Sequence, residues 1–219
     1  MNSKTLKVIV AEDHHVVRKG LVSIVSGFER VGHVDEAENG KVLLTKLEKQ
    51  SADVVLMDIQ MPLIDGIQAS EDIVARFPRT KILVLSAFEE DSIVLKLLEI
   101  GAHGYLSKNV QPKELEKAIY AVHDNDFYQN ETTTKILRQG VKRKKPSSNQ
   151  TATDISEREL EVLKLLCQEL SAKEIGDKLN IAEKTVHSHR LHLMKKTKAK
   201  NNIGLVLFAL NQGILIQKS

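Results

Sequence analysis

Four apolar residues, Val54-Val55-Leu56-Met57, run straight into a carboxylate, Asp58. Turn-forming residues follow at once, Gln60-Met61-Pro62 and Asp65-Gly66. A short unbroken apolar run bounded by turn signals reads as a strand buried on both faces of a parallel sheet. Asp58 then stands at the strand's carboxyl end, the edge where open α/β sheets carry ligands and chemistry. Three more runs end the same way. Leu6–Ala11 leads into Glu12-Asp13, Lys81–Leu85 into Ser86, and the short run His103–Leu106 ends close to Lys108. Gathered on one edge, these residue types describe phosphoryl chemistry. Asp58 is the nucleophile that would form an acyl phosphate. Glu12, Asp13 and Asp58 repel one another at reduced dielectric, and a hard cation such as Mg²⁺ with oxygen ligands relieves that repulsion. The Lys108 ammonium pairs with a phosphate, and the Ser86 hydroxyl donates to one of its oxygens.

The elements that must hold these residues alternate. Val16, Val17, Gly20, Leu21, Ile24 and Val25 recur at helical spacing, and Gly27 stops that helix. Val31–Ala37 reads as a second strand, and Val42, Leu43, Leu44 and Leu47 as a second helix. Ile67, Ile73, Val74 and Phe77 mark a third helix closed by Pro78, and Ile93, Leu97 and Ile100 a fourth closed by Gly101. Pro112 opens a fifth with Leu115, Ala118, Ile119 and Val122 on one face. Parallel neighbours need crossover helices, so five strand-then-helix units imply a doubly wound parallel five-stranded sheet of the flavodoxin type.

With this set of residues in place, 6–123 resemble the receiver domain of a bacterial response regulator. The matching positions are Glu12-Asp13, Asp58 with Met61-Pro62 and Asp65-Gly66, Ser86-Ala87, and Gly104–Lys108. The resemblance implies a histidine kinase as phosphoryl donor. It implies Mg²⁺ on Asp13, Asp58 and the Gln60 carbonyl, with Glu12 acting through water. It assigns a switch to Ser86, which moves toward the phosphate, and to Tyr105, which turns inward. Asn109 departs from the pattern, in which Pro often follows the lysine, so no cis peptide is expected there. Gln60 and Phe88 are large enough to shield the phosphate, so a long-lived phosphorylated state is expected.

Beyond 123 the pattern changes. Residues 125–152 lose periodicity, with room for one short helix near Lys135-Ile136-Leu137, and Lys142–Gln150 reads as a flexible linker. After it the chain is helical only. Ser156-Glu157-Arg158-Glu159 and Ser171-Ala172-Lys173-Glu174 are capping boxes. A short helix, a turn at Asn180-Ile181, and a helix from about Glu183 to Lys198 make a helix-turn-helix plan. Lys184, Thr185, His187, Ser188, His189 and Arg190 load that last helix with donors. Such a helix grips phosphates by charge and reads base edges near its start, although a solvated basic surface has the same composition.

Residues 153–216 resemble a LuxR-type helix-turn-helix domain, on Ser156–Leu163, Leu170–Ile175, Leu179-Asn180-Ile181, and Thr185-Val186 with His189. With the receiver this is the NarL/FixJ arrangement. The resemblance places His187, Ser188 and Leu191 at base edges and Lys184, Thr185, His189 and Arg190 at the DNA backbone. Leu191 would meet a thymine methyl or pack inside. Ala182 stands where a capping Ser is common, and Asn202 where Arg is usual.

The expected organisation is a receiver at 1–124, a linker at 125–152 and a DNA-binding domain at 153–219. The implied partners are a histidine kinase, double-stranded DNA, a second copy of the chain when phosphorylated, and RNA polymerase. The chain is then no enzyme beyond gaining and losing its own phosphate. Composition agrees with two small soluble domains: 219 residues, 42% hydrophobic, 28% charged. The net charge of +3 hides an acidic first half and a basic second half. No membrane-length apolar run is present, the location expected is the cytoplasm, and the single cysteine, Cys167, lies in an apolar run as a buried structural thiol. Two rivals remain at this level. One is a phosphatase or phosphotransferase using Asp58 on a small metabolite, although Asp58-Ile59-Gln60 lacks the second carboxylate such enzymes commonly use. The other is a constitutive DNA binder whose first domain only dimerises.

Overall fold

The computed structural model describes residues 6–87, 90–143, 155–168 and 170–214. Phe88 and residues 144–150 of the expected flexible linker therefore lie outside the described residues, whereas Lys142 and Arg143 are helical. The chain divides into two compact units, Met1–Tyr128 and Gln129–Ser219.

The first unit alternates strand and helix: β1 (Leu6–Ala11), α1 (His15–Ser26), β2 (Val31–Ala37), α2 (Gly40–Lys49), β3 (Val54–Met57), α3 (Gly66–Arg76), β4 (Lys81–Ser86), α4 (Asp91–Ile100), β5 (Gly104–Ser107) and α5 (Pro112–Asn125). All strand pairs are parallel, in the order β2-β1-β3-β4-β5. The order reverses between β1 and β3, which puts the topological switch point beside Asp58. All four residues of β3 are buried. One sheet face packs Val8, Val10, Val54, Leu56, Leu83 and Leu85 against Leu115, Ala118, Ile119 and Val122 of α5 and Val25 of α1. The alternate residues, Ile9, Val55, Met57, Ile82 and Val84, are buried as well, as the two-residue period of a strand covered on both sides requires. Ala11 pairs with Met57 and Met57 with Val84, so the residues next along these strands reach the sheet edge together.

Helix α1 is phased differently from the sequence expectation. Val16 is 82% exposed, and Val17 and Ile24 are exposed too. The stripe turned to the sheet is Arg18, Leu21, Val22 and Val25. The aliphatic stem of a charged residue fills the first turn of that stripe, because its guanidinium has partners further in.

The second unit begins with α6 (Glu131–Arg143), followed by α7 (Glu157–Leu166), α8 (Ala172–Leu179), α9 (Glu183–Thr197) and α10 (Asn202–Asn211). The segment expected to be linker thus carries a 13-residue helix. Its start is fixed by Asn130 and Thr133: the Thr133 amide donates to Asn130 Oδ1 at 2.9 Å and the Asn130 amide to Thr133 Oγ1 at 2.8 Å. Ile136 and Leu137 are buried, and α6 packs on α10. The core of α7–α10 joins Val162, Leu163, Leu166, Ile175, Val186, Leu193, Leu205 and Ala209. Both capping boxes form as expected. The α8–α9 turn is tight: Asn180 adopts φ 52°, and a Cβ on Gly176 would stand 2.7 Å from the Ile181 carbonyl oxygen. No helix among the described residues is long and apolar enough to cross a membrane.

Candidate functional site

At the carboxyl edge of the sheet, β3 delivers Asp58 into a pocket where it is 5% exposed. The Asp58 amide donates to the Ala11 carbonyl at 2.9 Å, and the Asp58 Oδ1 accepts the Ile59 amide at 2.8 Å. The following loop packs tightly, since a Cβ on Gly66 would lie 2.2 Å from the Asp58 carbonyl oxygen. Lys108 follows β5, and its amide donates to the Ser86 carbonyl at 2.9 Å, which ties the ends of β4 and β5 together. Its ammonium stands 2.6 Å from Glu12 Oε2 and 3.0 Å from Asp58 Oδ2. One cation thus spans two carboxylates.

Burial raises the Asp58 pKa; the Lys108 hydrogen bond opposes this, and the Glu12 charge adds to it. Burial works against the charged form of Lys108, but its pairing with Glu12 and Asp58 outweighs this and the pKa rises. The pair is therefore a buried carboxylate under charge stress held by a firmly protonated amine.

Glu12 Oε2 and Asp13 Oδ1 are buried oxygens that accept no hydrogen bond of sound geometry. Each has a nitrogen close by, Lys108 Nζ at 2.6 Å and His14 Nδ1 at 2.8 Å. Ligating atoms of Glu12, Asp13 and His14 lie within 4.8 Å of one another. Carboxylate oxygens grouped in this way suit a hard divalent cation. Gln60 follows Asp58 by two residues and is exposed. Ser86 and Tyr105 are fully buried. The Tyr105 side chain is enclosed by the first unit. The described residues contain no cis peptide.

In the second unit α9 presents Lys184, Thr185, His187 and Ser188 to solvent, with His189 half-buried. Leu191 is 66% exposed, so it does not pack inside. Arg190, expected at the DNA backbone, is buried in the free chain. It falls on the buried stripe with Val186 and Leu193, is 7% exposed, and its Nε donates to Asn202 Oδ1 at 3.0 Å. Lys196, itself exposed, reaches buried Glu159 Oε2 at 2.7 Å. Burial alone would raise the Glu159 pKa, yet the bonds from Lys196 and Ser156 hold it below the usual range. The same carboxylate thus caps α7 and anchors the back of α9. Ala182 precedes α9 with no side-chain cap, as the sequence implied. Burial pushes the thiol of half-buried Cys167 up to about 12, which disfavours the thiolate.

Comparison with known proteins follows this division. Residues 8–120 match the response regulator receiver domain model, and residues 153–209 match the model of bacterial regulatory proteins of the luxR family. The chain is 34% identical over 215 residues to the oxygen regulatory protein NreC of Staphylococcus carnosus, covering 96% of this chain and 99% of the relative. This chain is a two-component response regulator of the NarL type. Another relative of this regulator is the transcriptional regulatory protein YxjL of Bacillus subtilis, 32% identical and covering 98% of this chain and 100% of the relative. Among solved structures, the regulator is similar to the response regulator ChrA of a heme-sensing two-component system (TM-score 0.53, 31% identity, 97% and 100% coverage). It is also similar to RcsB in an RcsB–DNA complex (TM-score 0.56, 28% identity, 94% and 98% coverage).

Sequence reasoning missed Arg18 in this regulator. Its Nη1 donates to the carbonyls of Glu12 at 2.6 Å and Asp13 at 3.0 Å. The readable signal was a charged residue three, four and seven positions before Leu21, Val22 and Val25 on one helical stripe.

Proposed function

We propose that Asp58 accepts a phosphoryl group from a partner histidine kinase and that this controls DNA binding through α9. The observation that carries the reading is the buried Asp58 carboxylate, held by Lys108 beside Glu12 and Asp13. An ionised carboxylate under charge stress is poised to attack phosphorus. Lys108 is already within ion-pair distance of the acceptor and can move with the charge to the phosphate. Glu12 and Asp13 would hold Mg²⁺ together with Asp58 and the Gln60 carbonyl. When bound, the cation neutralises phosphate oxygens during in-line transfer. Ser86, at the end of β4, supplies a hydroxyl to the phosphate, and buried Tyr105 on β5 is the neighbour through which a shift of that strand end is felt. The chain's own chemistry is confined to gaining and losing this phosphate.

Lys184, Thr185 and His189 would engage the DNA backbone, and His187, Ser188 and Leu191 the base edges. An exposed leucine on this face favours a thymine methyl as its partner. Arg190 acts from inside, orienting the helix through Asn202. Phosphorylation would release this domain from the receiver and favour a homodimer on a pseudo-palindromic site, with RNA polymerase as the further partner. Genomic footprinting and light scattering, with and without a small acyl phosphate and Mg²⁺, test this. Phosphorylation is expected to tighten operator binding and form dimers in the parent protein and to do neither in Asp58→Asn. Equal binding in all four samples overturns the coupling and leaves a constitutive DNA binder.

A further inference from the structure

Helix α1 buries two side chains, Val25 and Arg18. A buried guanidinium needs partners for its donors. Arg18 places Nη1 on two consecutive backbone carbonyls, those of Glu12 and Asp13, and its Nε forms an ion pair without a hydrogen bond, 3.5 Å from Glu36 Oε2. Glu36 is held in turn by Lys19, which donates to its other oxygen at 2.6 Å. The amide of Glu12 is also engaged, donating to the Ala37 carbonyl at 3.0 Å. The peptide planes on both sides of Glu12 and after Asp13 are therefore fixed, and with them the directions in which the two carboxylates leave the chain.

We propose that Arg18 is a positioning residue for the cation site, braced by Glu36. This rests on the reading that Glu12 and Asp13 hold the divalent cation. Arg18 touches neither cation nor phosphate. It sets the turn between β1 and α1 so that two repelling carboxylates point into one pocket before any cation arrives. Partners behind the ligands that orient them typically govern affinity nearly as strongly as the ligands themselves. A guanidinium suits this post because its planar fork reaches two carbonyls and a carboxylate at once, which a lysine ammonium on a flexible stem does not match.

Mn²⁺ is the probe, its free-ion paramagnetic resonance signal being read during titration of the full chain. Parent protein is compared with Arg18→Met, Arg18→Lys and Glu36→Gln, with circular dichroism on each. Arg18→Met is expected to weaken Mn²⁺ binding by roughly 10-fold or more, Arg18→Lys by less, and Glu36→Gln least. The Mg²⁺ concentration giving half-maximal phosphorylation by a small acyl phosphate is expected to rise by the same factor. The rate at saturating Mg²⁺ is expected to stay near the parent's. Unchanged Mn²⁺ affinity in a folded Arg18→Met chain overturns the inference, as does a slower rate with an unmoved Mg²⁺ midpoint. If Arg18→Met does not fold, Arg18→Lys decides: parent-like Mn²⁺ affinity there overturns it. A parent protein that takes up no Mn²⁺ refutes the cation reading itself and the positioning role with it.

Discussion

Asp58 and His187 work in opposite surroundings. Asp58 is buried, in ion-pair distance of Lys108, and shares that lysine with Glu12. His187 stands on an exposed turn of α9, among Lys184, Thr185, Ser188 and Leu191, which face solvent. In the receiver, each charge is defined by its neighbours, so the site responds as a unit. On α9, the exposed side chains have neighbours on their own helix, as His187 has Arg190 and Glu183 and Ser188 has the Lys184 carbonyl. The difference teaches where energy is stored. The receiver holds electrostatic stress before any signal arrives, whereas the helix holds only orientation, secured from behind by Arg190–Asn202 and Lys196–Glu159.

The comparison breaks most visibly at Lys108. Lys108→Ala leaves the stressed carboxylates without their cation and the incoming phosphate without a counter-charge. Phosphorylation by a small acyl phosphate is expected to slow by about 10²–10³-fold, read by phosphate-affinity electrophoresis. A loss below tenfold would mean that the cluster does not act as a unit. At the opposite edge of the sheet, His103 tests whether buried charge stress is confined to the phosphate side. Its Nδ1 accepts the Ile82 amide at 3.1 Å. Asp126 lies 3.7 Å from its Nε2 and itself pairs with Lys81. Burial drives its pKa down to about 4, with Asp126 opposing and Lys81 assisting. The unfolded chain takes up this proton as pH falls below about 6.5, the folded chain only near 4, so stability is lost across that window. His103→Gln keeps an acceptor and is expected to remove on the order of 3 kcal/mol of acid sensitivity, measured by urea denaturation between pH 7 and 4.

Backbone crowding distinguishes the regions next. Gly66→Ala forces a methyl against the Asp58 carbonyl and is expected to cost about 2 kcal/mol of receiver stability. Leu191→Ala removes a side chain that is largely exposed in the free chain, and its expected effect on stability is within about 0.5 kcal/mol. The remaining expected step is on DNA. Lys184→Gln is expected to cost about 1 kcal/mol of binding and lower the salt slope by about 1, roughly adding to a separate His187→Ala. Strong coupling between those two would blur the contrast with the receiver.

How far each site could be read from the amino acids follows the same contrast. Asp58, Ser86 and Lys108 end runs of buried strand residues, and that local pattern places them on one sheet edge without any knowledge of packing. Arg18 acts through the backbone carbonyls of Glu12 and Asp13, and a contact to main chain leaves no complementary residue type to find. Its presence also misphased α1, because Val16 and Ile24 mimic an inward stripe while facing out. Arg190 shows the converse. Its type and helix suggest a phosphate contact, and only the three-dimensional position of Asn202 turns it inside. Helix α6 was underestimated because it is capped by an Asn–Thr pair and carries few apolar residues, its stability coming from the surface of α10.

Ala182 leaves the first turn of α9 without a side-chain cap. The leading amides of that helix are donors the polypeptide does not close off with a hydroxyl. Where such a helix start meets a nucleic acid, a phosphate oxygen can complete the turn. The operator would then serve as a structural component of the helix it is read by. A share of the folding free energy of about 1 kcal/mol, the usual worth of a cap, is deferred from the free chain to the complex. On that footing recognition would be thermodynamically economical: order in α9 and occupancy of its first turn by a phosphate would rise together.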